Sequence, residues 1–341
     1  MKLSPARLTQ LLRVYIPKRL PVLITGRPGC GKSDIVEAAT DEVDHDLLIS
    51  HPVVEDPTDS KGLPFPAADG LHARFLPFGD LERALSATRP LVWFFDDLGQ
   101  ASPAVQAAKM QLLLARRIGE HVLPDCVTFV AATNRRSDNA GVTGILDPLI
   151  SRFAAVVELE ATIDDWTAWA VRQNVPPELI AFLRFRPNLL WEERSSRDIV
   201  ASASPRKWGF LAKTLPAVPA HLLPDAINAT VGEGAGAELT SFLAIYRALP
   251  SVDAILMNPD LGAIPEEPSI LYALTAALAH KASDGNFERV LRYAERLVDE
   301  GYREFTALLV RDATARKPEL QSHHAFIRAL GGEIGKIITG T

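Results

Sequence analysis

The sequence predicts a doubly wound α/β domain with a parallel sheet, followed by a helical region. Five runs in the first half have strand length and are apolar throughout rather than alternating, at 21–26, 46–50, 91–96, 127–133 and 154–160. Such runs are typical of parallel strands that are covered on both faces. Between them lie helix signals, such as Ser102-Pro103, a cap residue followed by a first-turn proline. From Asp164 onward, apolar residues recur at three- and four-residue steps, which indicates helices.

This change of pattern predicts three parts. We expect an α/β core at 1–160, a small helical lid at 161–218 and a helical C-terminal extension at 219–341. Proline and glycine mark the joins, as in the stretch LPAVPAHLLPD.

Composition excludes several classes of protein. Of the 341 residues, 47% are hydrophobic and 23% are charged, which excludes a disordered chain. The formal net charge of −6 argues against a constitutive coat on nucleic acid. The two cysteines exclude a disulfide framework and a zinc ribbon. The apolar runs are too short for a membrane span, and the first twenty residues lack a cleavage site, so we expect a cytoplasmic protein.

The segment GRPGCGKS carries the strongest chemical signal. It fits the phosphate-binding pattern G-x-x-x-x-G-K-[ST], with an apolar run before it and a helical pattern after it. Glycines let the backbone N–H groups surround phosphates, and the following helix directs its positive end at them. Lys32 would reach the β- and γ-phosphates of ATP, and the Ser33 hydroxyl would bind Mg²⁺. The predicted nucleotide-binding residues are Gly26, Arg27, Pro28, Gly29, Cys30, Gly31, Lys32, Ser33 and Asp34.

The run LVWFFDD ends in two carboxylates. Asp96 is predicted to hold Mg²⁺ together with Ser33, and Asp97 to polarise the attacking water. The alternative is an aspartate that caps the next helix. Within the phosphate loop, the positive potential is expected to lower the pKa of Cys30.

Three further polar residues complete the predicted catalytic set with Asp97. Asn134 follows the run VTFVAAT and would orient the water, or else serve as a turn residue. Arg152 follows a short predicted helix and would act on a neighbouring subunit's γ-phosphate, or else form a surface or interdomain salt bridge. Arg206 projects from a helix start at Ser204-Pro205 and would reach the phosphates from the lid, or else remain solvated.

Taken in order, these features resemble the AAA+ ATPases, with the MoxR-like branch as the most similar. The helix ASPAVQAAKMQLLLARR, the AATN strand end, the loop GVTGILDPL and the RF pair carry that resemblance over about residues 10–215. It implies Walker A at the phosphate loop, Walker B at Asp96, sensor 1 at Asn134, an arginine finger at Arg152 and sensor 2 at Arg206. It also implies a homo-oligomeric ring of six and a partner with a von Willebrand factor A domain.

An insertion at 65–80 also fits that branch. The resemblance implies a hairpin that faces the centre of the ring, with His72, Arg74, Phe75 and Phe78 on the pore side. The alternative is an ordinary surface hairpin whose phenylalanines pack into the core.

The predicted function is therefore Mg-dependent ATP hydrolysis that remodels a partner protein, with active sites shared between subunits. One alternative is a DNA-handling motor, because Ser151–Phe153 is similar to the finger motif of the MCM helicases. A second is a small-molecule phosphotransferase that acts as a single subunit. A third is a slow nucleotide switch, because Asp97 stands where the family usually has glutamate, one methylene longer.

Overall fold

A computed structural model describes residues 1–135, 138, 144–192 and 200–339. The chain forms two compact units, Met1–Ala161 and Thr162–Thr341. The boundary lies at the point where the sequence pattern changes from strands and helices to helices alone.

The first unit is built on a parallel sheet. Its strands are β1 (Lys2–Leu3), β2 (Val22–Gly26), β3 (Asp46–Ser50), β6 (Leu91–Phe95), β9 (Val127–Thr133) and β10 (Ala155–Leu159). Two separate hairpins pair β4 (Leu63–Pro66) with β5 (Ala73–Leu76) and β7 (Arg117–Ile118) with β8 (His121–Val122). Every residue of β6 and β9 is buried, as expected for strands covered on both faces.

Across the described residues, the strand order in the sheet is β1-β10-β2-β9-β6-β3, with parallel pairing throughout. Five of these strands were predicted. The sixth, β1, is a two-residue edge strand in which Lys2 pairs with Glu158 and Leu3 with Leu159. A segment this short has no periodicity that the sequence could reveal, so the five-strand prediction was one strand short.

Helices cover both faces of this sheet. They are α1 (Pro5–Tyr15), α2 (Lys32–Glu42), α3 (Pro57–Lys61), α4 (Gly79–Leu85), α5 (Pro103–Ala115) and α6 (Asp147–Ile150). Trp93 and Phe129 pack with α4 and α5 on one face. Their neighbours Phe94 and Val130 are fully buried on the other, where α2 contacts β9 and α1 packs on α2. The doubly wound arrangement is thereby confirmed.

The second unit contains helices and no strand in its described residues. They are α7 (Ile163–Arg172), α8 (Pro177–Phe185), α9 (Pro205–Thr214), α10 (Leu223–Val231), α11 (Glu233–Arg247), α12 (Val252–Met257), α13 (Pro268–Lys281), α14 (Phe287–Asp299), α15 (Arg303–Arg316), α16 (His324–Leu330) and α17 (Glu333–Thr339). Phe182 packs against Trp208 and Phe242, so one core draws on residues from both sides of the predicted boundary at 218. A second core surrounds Phe287 and Tyr293.

Helix starts follow the predicted cap chemistry. The Ser102 hydroxyl accepts from the Val105 N–H at the start of α5, and the Ser204 hydroxyl accepts from Lys207 at the start of α9. Thr162 and Asp165 form a reciprocal capping box on α7. Among the described residues, no helix has the length and apolar character needed to cross a bilayer.

Candidate functional site

The phosphate-loop segment connects β2 to α2 in a tight curve. Gly29 and Gly31 have φ angles of 77° and 87°, a region that L side chains rarely adopt. A Cβ on Gly26 would lie 3.1 Å from the Leu159 carbonyl oxygen. Unlike α1, α5 and α9, helix α2 begins without a side-chain cap, at Gly31. Its positive end is therefore left for an anion.

Lys32 is the first residue of α2 and is 7% exposed. Its Nζ donates to the carbonyls of Gly26 and Arg27, at 3.1 Å each, and to Asn134 Oδ1 at 2.8 Å. The lysine thus ties the loop to the end of β9. It holds a buried positive charge where the loop would bind phosphate.

Ser33 and Asp96 form a second pair. The Ser33 hydroxyl donates to Asp96 Oδ2 at 2.7 Å, and Asp96 Oδ1 accepts from the Asp97 N–H at 3.1 Å. Both side chains are only partly buried. A hydroxyl and a carboxylate side by side are oxygen ligands of the kind that Mg²⁺ takes, together with waters and phosphates.

Asn134 connects Lys32 to Asp97. It is 8% exposed, and its Nδ2 donates to Asp97 Oδ1 at 3.3 Å while its Oδ1 faces Lys32. The amide orientation is fixed by chemistry, because an ammonium only donates and a carboxylate only accepts. Asp97 adopts the left-handed conformation, with φ of 57°, which aspartate tolerates better than most residues.

The strand order explains why these residues meet. β9 lies between β2 and β6, so the end of β9 is flanked by the phosphate loop and by Asp96 and Asp97. All three strands run parallel and present their carboxyl ends at the same edge. Ligands of open α/β sheets bind at that edge. Sequence-predicted residues from three separate segments thereby converge on one site.

Arg135, the residue after Asn134, is bonded to two carboxylates, and the sequence did not single it out. Its guanidinium forms two bonds with Asp138, at 2.7 and 3.0 Å, and one with Glu158 on β10 at 3.0 Å. Hydrogen bonding to Asp138, reinforced by Glu158, raises the pKa of Arg135 despite its burial. The bonds fix the chain immediately after Asn134. The only sequence signal was a charged pair after a strand, which is common on surfaces.

The pKa of Cys30 is raised, whereas the sequence predicted that it would be lowered. Its side chain is buried, and burial raises the pKa of the thiol, although the charge of Lys32 partly opposes that effect. The predicted lowering of the Cys30 pKa was wrong, because desolvation of the thiolate outweighs its attraction to the Lys32 ammonium.

Cys30 is therefore expected to react with iodoacetamide more slowly than Cys126, which is only partly buried. Because the thiolate is the reacting species and the pKa of Cys30 is raised, the rate at Cys30 should still be rising with pH at pH 9. Peptide mass spectrometry over pH 7–9 measures both rates, with urea-unfolded protein as the control. A rate at Cys30 that levels off below pH 8 would contradict the raised pKa.

The two predicted arginines, Arg152 and Arg206, belong to different units of the chain. Arg152 follows α6, and its guanidinium donates to the Pro148 carbonyl on its own helix. Arg206 is exposed in the first turn of α9 in the second unit. Part of the predicted loop before α6, at 141–143, lies outside the described residues. The roles of both arginines stay predictions.

The insertion forms an antiparallel hairpin, β4 with β5, in which Phe65 pairs with Arg74. All residues of both strands are exposed, including Phe65 at 60% and Phe75 at 41%, whereas Phe78 is partly buried. His72 pairs with Asp69 at 2.8 Å. The hairpin aromatics do not pack into the core, and its position relative to a pore stays a prediction.

A buried ion pair also escaped the sequence analysis. Lys109 on α5 is 1% exposed, and its Nζ lies 2.6 Å from Glu55 and 4.8 Å from the centre of the Phe95 ring. Burial lowers the pKa of Lys109, against the opposing effect of Glu55. The available signal was the spacing of Gln106 and Lys109, which places two polar residues on one face of an apolar helix.

The residues present fit a nucleoside triphosphate and Mg²⁺. The loop is closely packed and glycine-dependent, Lys32 carries a buried charge beside it, and Ser33 and Asp96 offer adjacent oxygens. Across the described residues, no cluster of three or more histidine, cysteine or carboxylate side chains could hold a metal ion by itself.

No family model matches this chain, and no curated protein matches it. The chain is similar to a solved structure of the Thermotoga maritima RuvB Holliday junction branch migration motor, at 16% identity over 87% of each chain, with a TM-score of 0.40. It is also similar to NtrX from Brucella abortus in complex with ADP, at 14% identity over 98% of this chain and 67% of that one, with a TM-score of 0.36. The fold of this chain rests on its own strand order and loop geometry.

Proposed function

We propose that this protein is an oligomeric AAA+ ATPase of the MoxR-like type, which uses Mg-dependent ATP hydrolysis to remodel a partner protein. One observation carries the proposal. Lys32, Ser33, Asp96, Asp97 and Asn134 are joined by hydrogen bonds at the carboxyl ends of three neighbouring parallel strands. A set of this kind supplies a phosphate cradle, metal ligands and groups that orient a water molecule.

The roles follow from the contacts. Lys32 binds the β- and γ-phosphates, because its Nζ already lies against the loop carbonyls. Ser33 and Asp96 hold Mg²⁺, which when bound neutralises charge on the phosphate oxygens. Asp97 accepts a proton from the attacking water, and Asn134 orients that water, since its amide contacts both Asp97 and Lys32.

The shared-site part of the proposal rests on Arg152. Its helix, α6, leads into β10, and the guanidinium donates to the Pro148 carbonyl of that helix. We propose that Arg152 acts on the γ-phosphate of a neighbouring subunit and that Arg206 reaches the phosphates of its own. The ring of six, the von Willebrand factor A partner and the cytoplasmic location come from the resemblance and the composition, and they belong to the proposal.

A slow nucleotide switch is the second candidate, supported by Asp97. Aspartate places its carboxylate about 1–1.5 Å nearer the backbone than glutamate would. That carboxylate is also held by the Asn134 amide at 3.3 Å. The shorter side chain and the bond to Asn134 both hold the Asp97 carboxylate farther from a water molecule at the γ-phosphate.

Two substitutions of Asp97 test the proposal. Asp97→Asn is expected to lower ATP turnover about a hundredfold, because the amide cannot accept the proton, while ATP binding persists. Asp97→Glu should change turnover little if the protein is an efficient ATPase. A rise of tenfold or more would instead support the switch, and unchanged turnover in Asp97→Asn would contradict the role of Asp97. A phosphate-release assay and a fluorescent ATP analogue measure turnover and binding.

A further inference from the structure

Gln106 has a buried amide whose polar atoms all bind backbone. It lies on α5 and is 1% exposed. Its Nε2 donates to the carbonyls of Ala101 and Gly144, at 3.1 and 2.9 Å, and its Oε1 accepts from the Leu146 N–H at 3.0 Å. None of the roles given above uses this side chain.

The bonds of Gln106 connect two segments. Ala101 ends the turn that follows Asp97, whereas Gly144 and Leu146 lead directly into α6. A second link lies beside it, because the Gly144 N–H donates to the Gly99 carbonyl at 3.3 Å. A Cβ on Gly99 would lie 2.2 Å from Thr133 Oγ1, next to Asn134, and 3.2 Å from Ile145. The turn after Asp97 is therefore packed between the end of β9 and the segment before α6.

Helix α6 needs this external support. It has four residues, and its N-cap, Leu146, provides no side-chain cap. Its start is fixed through the backbone of 144–146 instead, and Arg152 follows two residues after its end. Gln106 makes two of the hydrogen bonds that hold 144–146 and the Gly99 carbonyl accepts a third, so a shift of the Gln106 amide is expected to displace the start of this short helix.

We propose that Gln106 is a positioning residue that couples the Asp97 turn of one subunit's active site to the Arg152 which that subunit offers to its neighbour. The inference rests on the proposed function, in which Arg152 acts across the subunit interface. A change at the Asp97 turn is transmitted through Ala101 and Gln106 to the start of α6. Displacing Arg152 by about 1 Å is enough to lower turnover about a hundredfold in the adjacent site.

Mixed oligomers test this coupling. Gln106→Leu removes all three hydrogen bonds at similar volume and is expected to lower ATP turnover ten- to hundredfold without changing the affinity for ATP. Adding an excess of Lys32→Ala subunits, which have a defective phosphate loop and an intact Arg152, should restore turnover per Gln106→Leu subunit at least fivefold. Arg152→Ala subunits mixed in the same way calibrate the rescue. Gln106→Glu keeps the volume and the acceptor for Leu146, and it should show the same rescue if Gln106→Leu folds poorly.

The outcomes distinguish a failure of the Gln106 coupling from a failure of the active site shared between subunits. If Lys32→Ala subunits rescue Arg152→Ala but neither Gln106 variant, Gln106 acts within its own site and the coupling is overturned, while the shared site stands. If they rescue none of the three, the shared site itself fails. Equal loss of ATP affinity and turnover in both Gln106 variants would also overturn the positioning role.

Discussion

Replacing Lys32 by alanine is expected to lower ATP turnover about a hundred- to a thousandfold, the loss typical of removing a preorganised donor from a developing negative charge. The side chain is 7% exposed and donates two hydrogen bonds to the loop and one to Asn134, so its ammonium is held in place beside the loop. Binding of ATP should weaken as well, because the ammonium contacts phosphates in the ground state. Turnover and the binding of a fluorescent ATP analogue measure the two effects.

Two further variants sharpen this test. Lys32→Arg keeps the charge but replaces a compact ammonium with a planar fork, and it should remain at least tenfold impaired. Lys18→Ala removes an exposed lysine of the same unit and should leave turnover unchanged. Turnover of Lys32→Ala within threefold of the wild type would exclude this loop as the phosphate site.

Replacing Lys109 by alanine is expected to cost about 3–5 kcal/mol of stability, since it leaves Glu55 buried without its partner. Glu55 and Lys109 lie 2.6 Å apart, with 13% and 2% of their side chains exposed. The pair connects α5 to the segment that leads into α3. Amide hydrogen exchange in β6 and α5 reports the opening free energy locally, which suits a chain of two units.

The double variant Lys109→Met with Glu55→Gln is the informative comparison for this pair. It removes both charges at similar volume, and it should recover much of the lost stability, because burying the pair is itself costly. Lys61→Ala, at an exposed position in α3, is the matched control and should have little effect. Exchange in Lys109→Ala that matches this control would show that the ion pair does not stabilise the unit.

Much of the first unit could be predicted because its strands are apolar on both faces. A run such as VTFVAAT can only be buried, and the structure places all seven residues in β9 as expected. The caps Ser102 and Ser204 were predictable for a similar reason, since a side-chain oxygen before a first-turn proline satisfies helix N–H groups locally. The edge strand β1 could not be predicted, because two residues are too few to show a hydrophobic periodicity.

For the candidate site too, some residues could be predicted from the sequence and others could not. The loop, Asp96 and Asp97 were visible because their chemistry lies in contiguous residues, whereas the contact of Asn134 with both Lys32 and Asp97 depends on β9 lying between β2 and β6. That order is set by packing between distant segments, which a single sequence does not display. Gln106 and Lys109 were missed for a related reason, because their partners are backbone atoms and a carboxylate from other segments.

In the proposed mechanism, hydrolysis needs an active site that a second subunit completes, so turnover per subunit should depend on protein concentration. Light scattering on the same samples gives the oligomeric state, and Arg152→Ala is measured alongside. We expect turnover per subunit to rise as oligomers form, and Arg152→Ala to bind ATP normally but to lose turnover at every concentration. Constant turnover in a monomer that survives the Arg152→Ala change would contradict the claim and favour a phosphotransferase or a switch with a self-contained site.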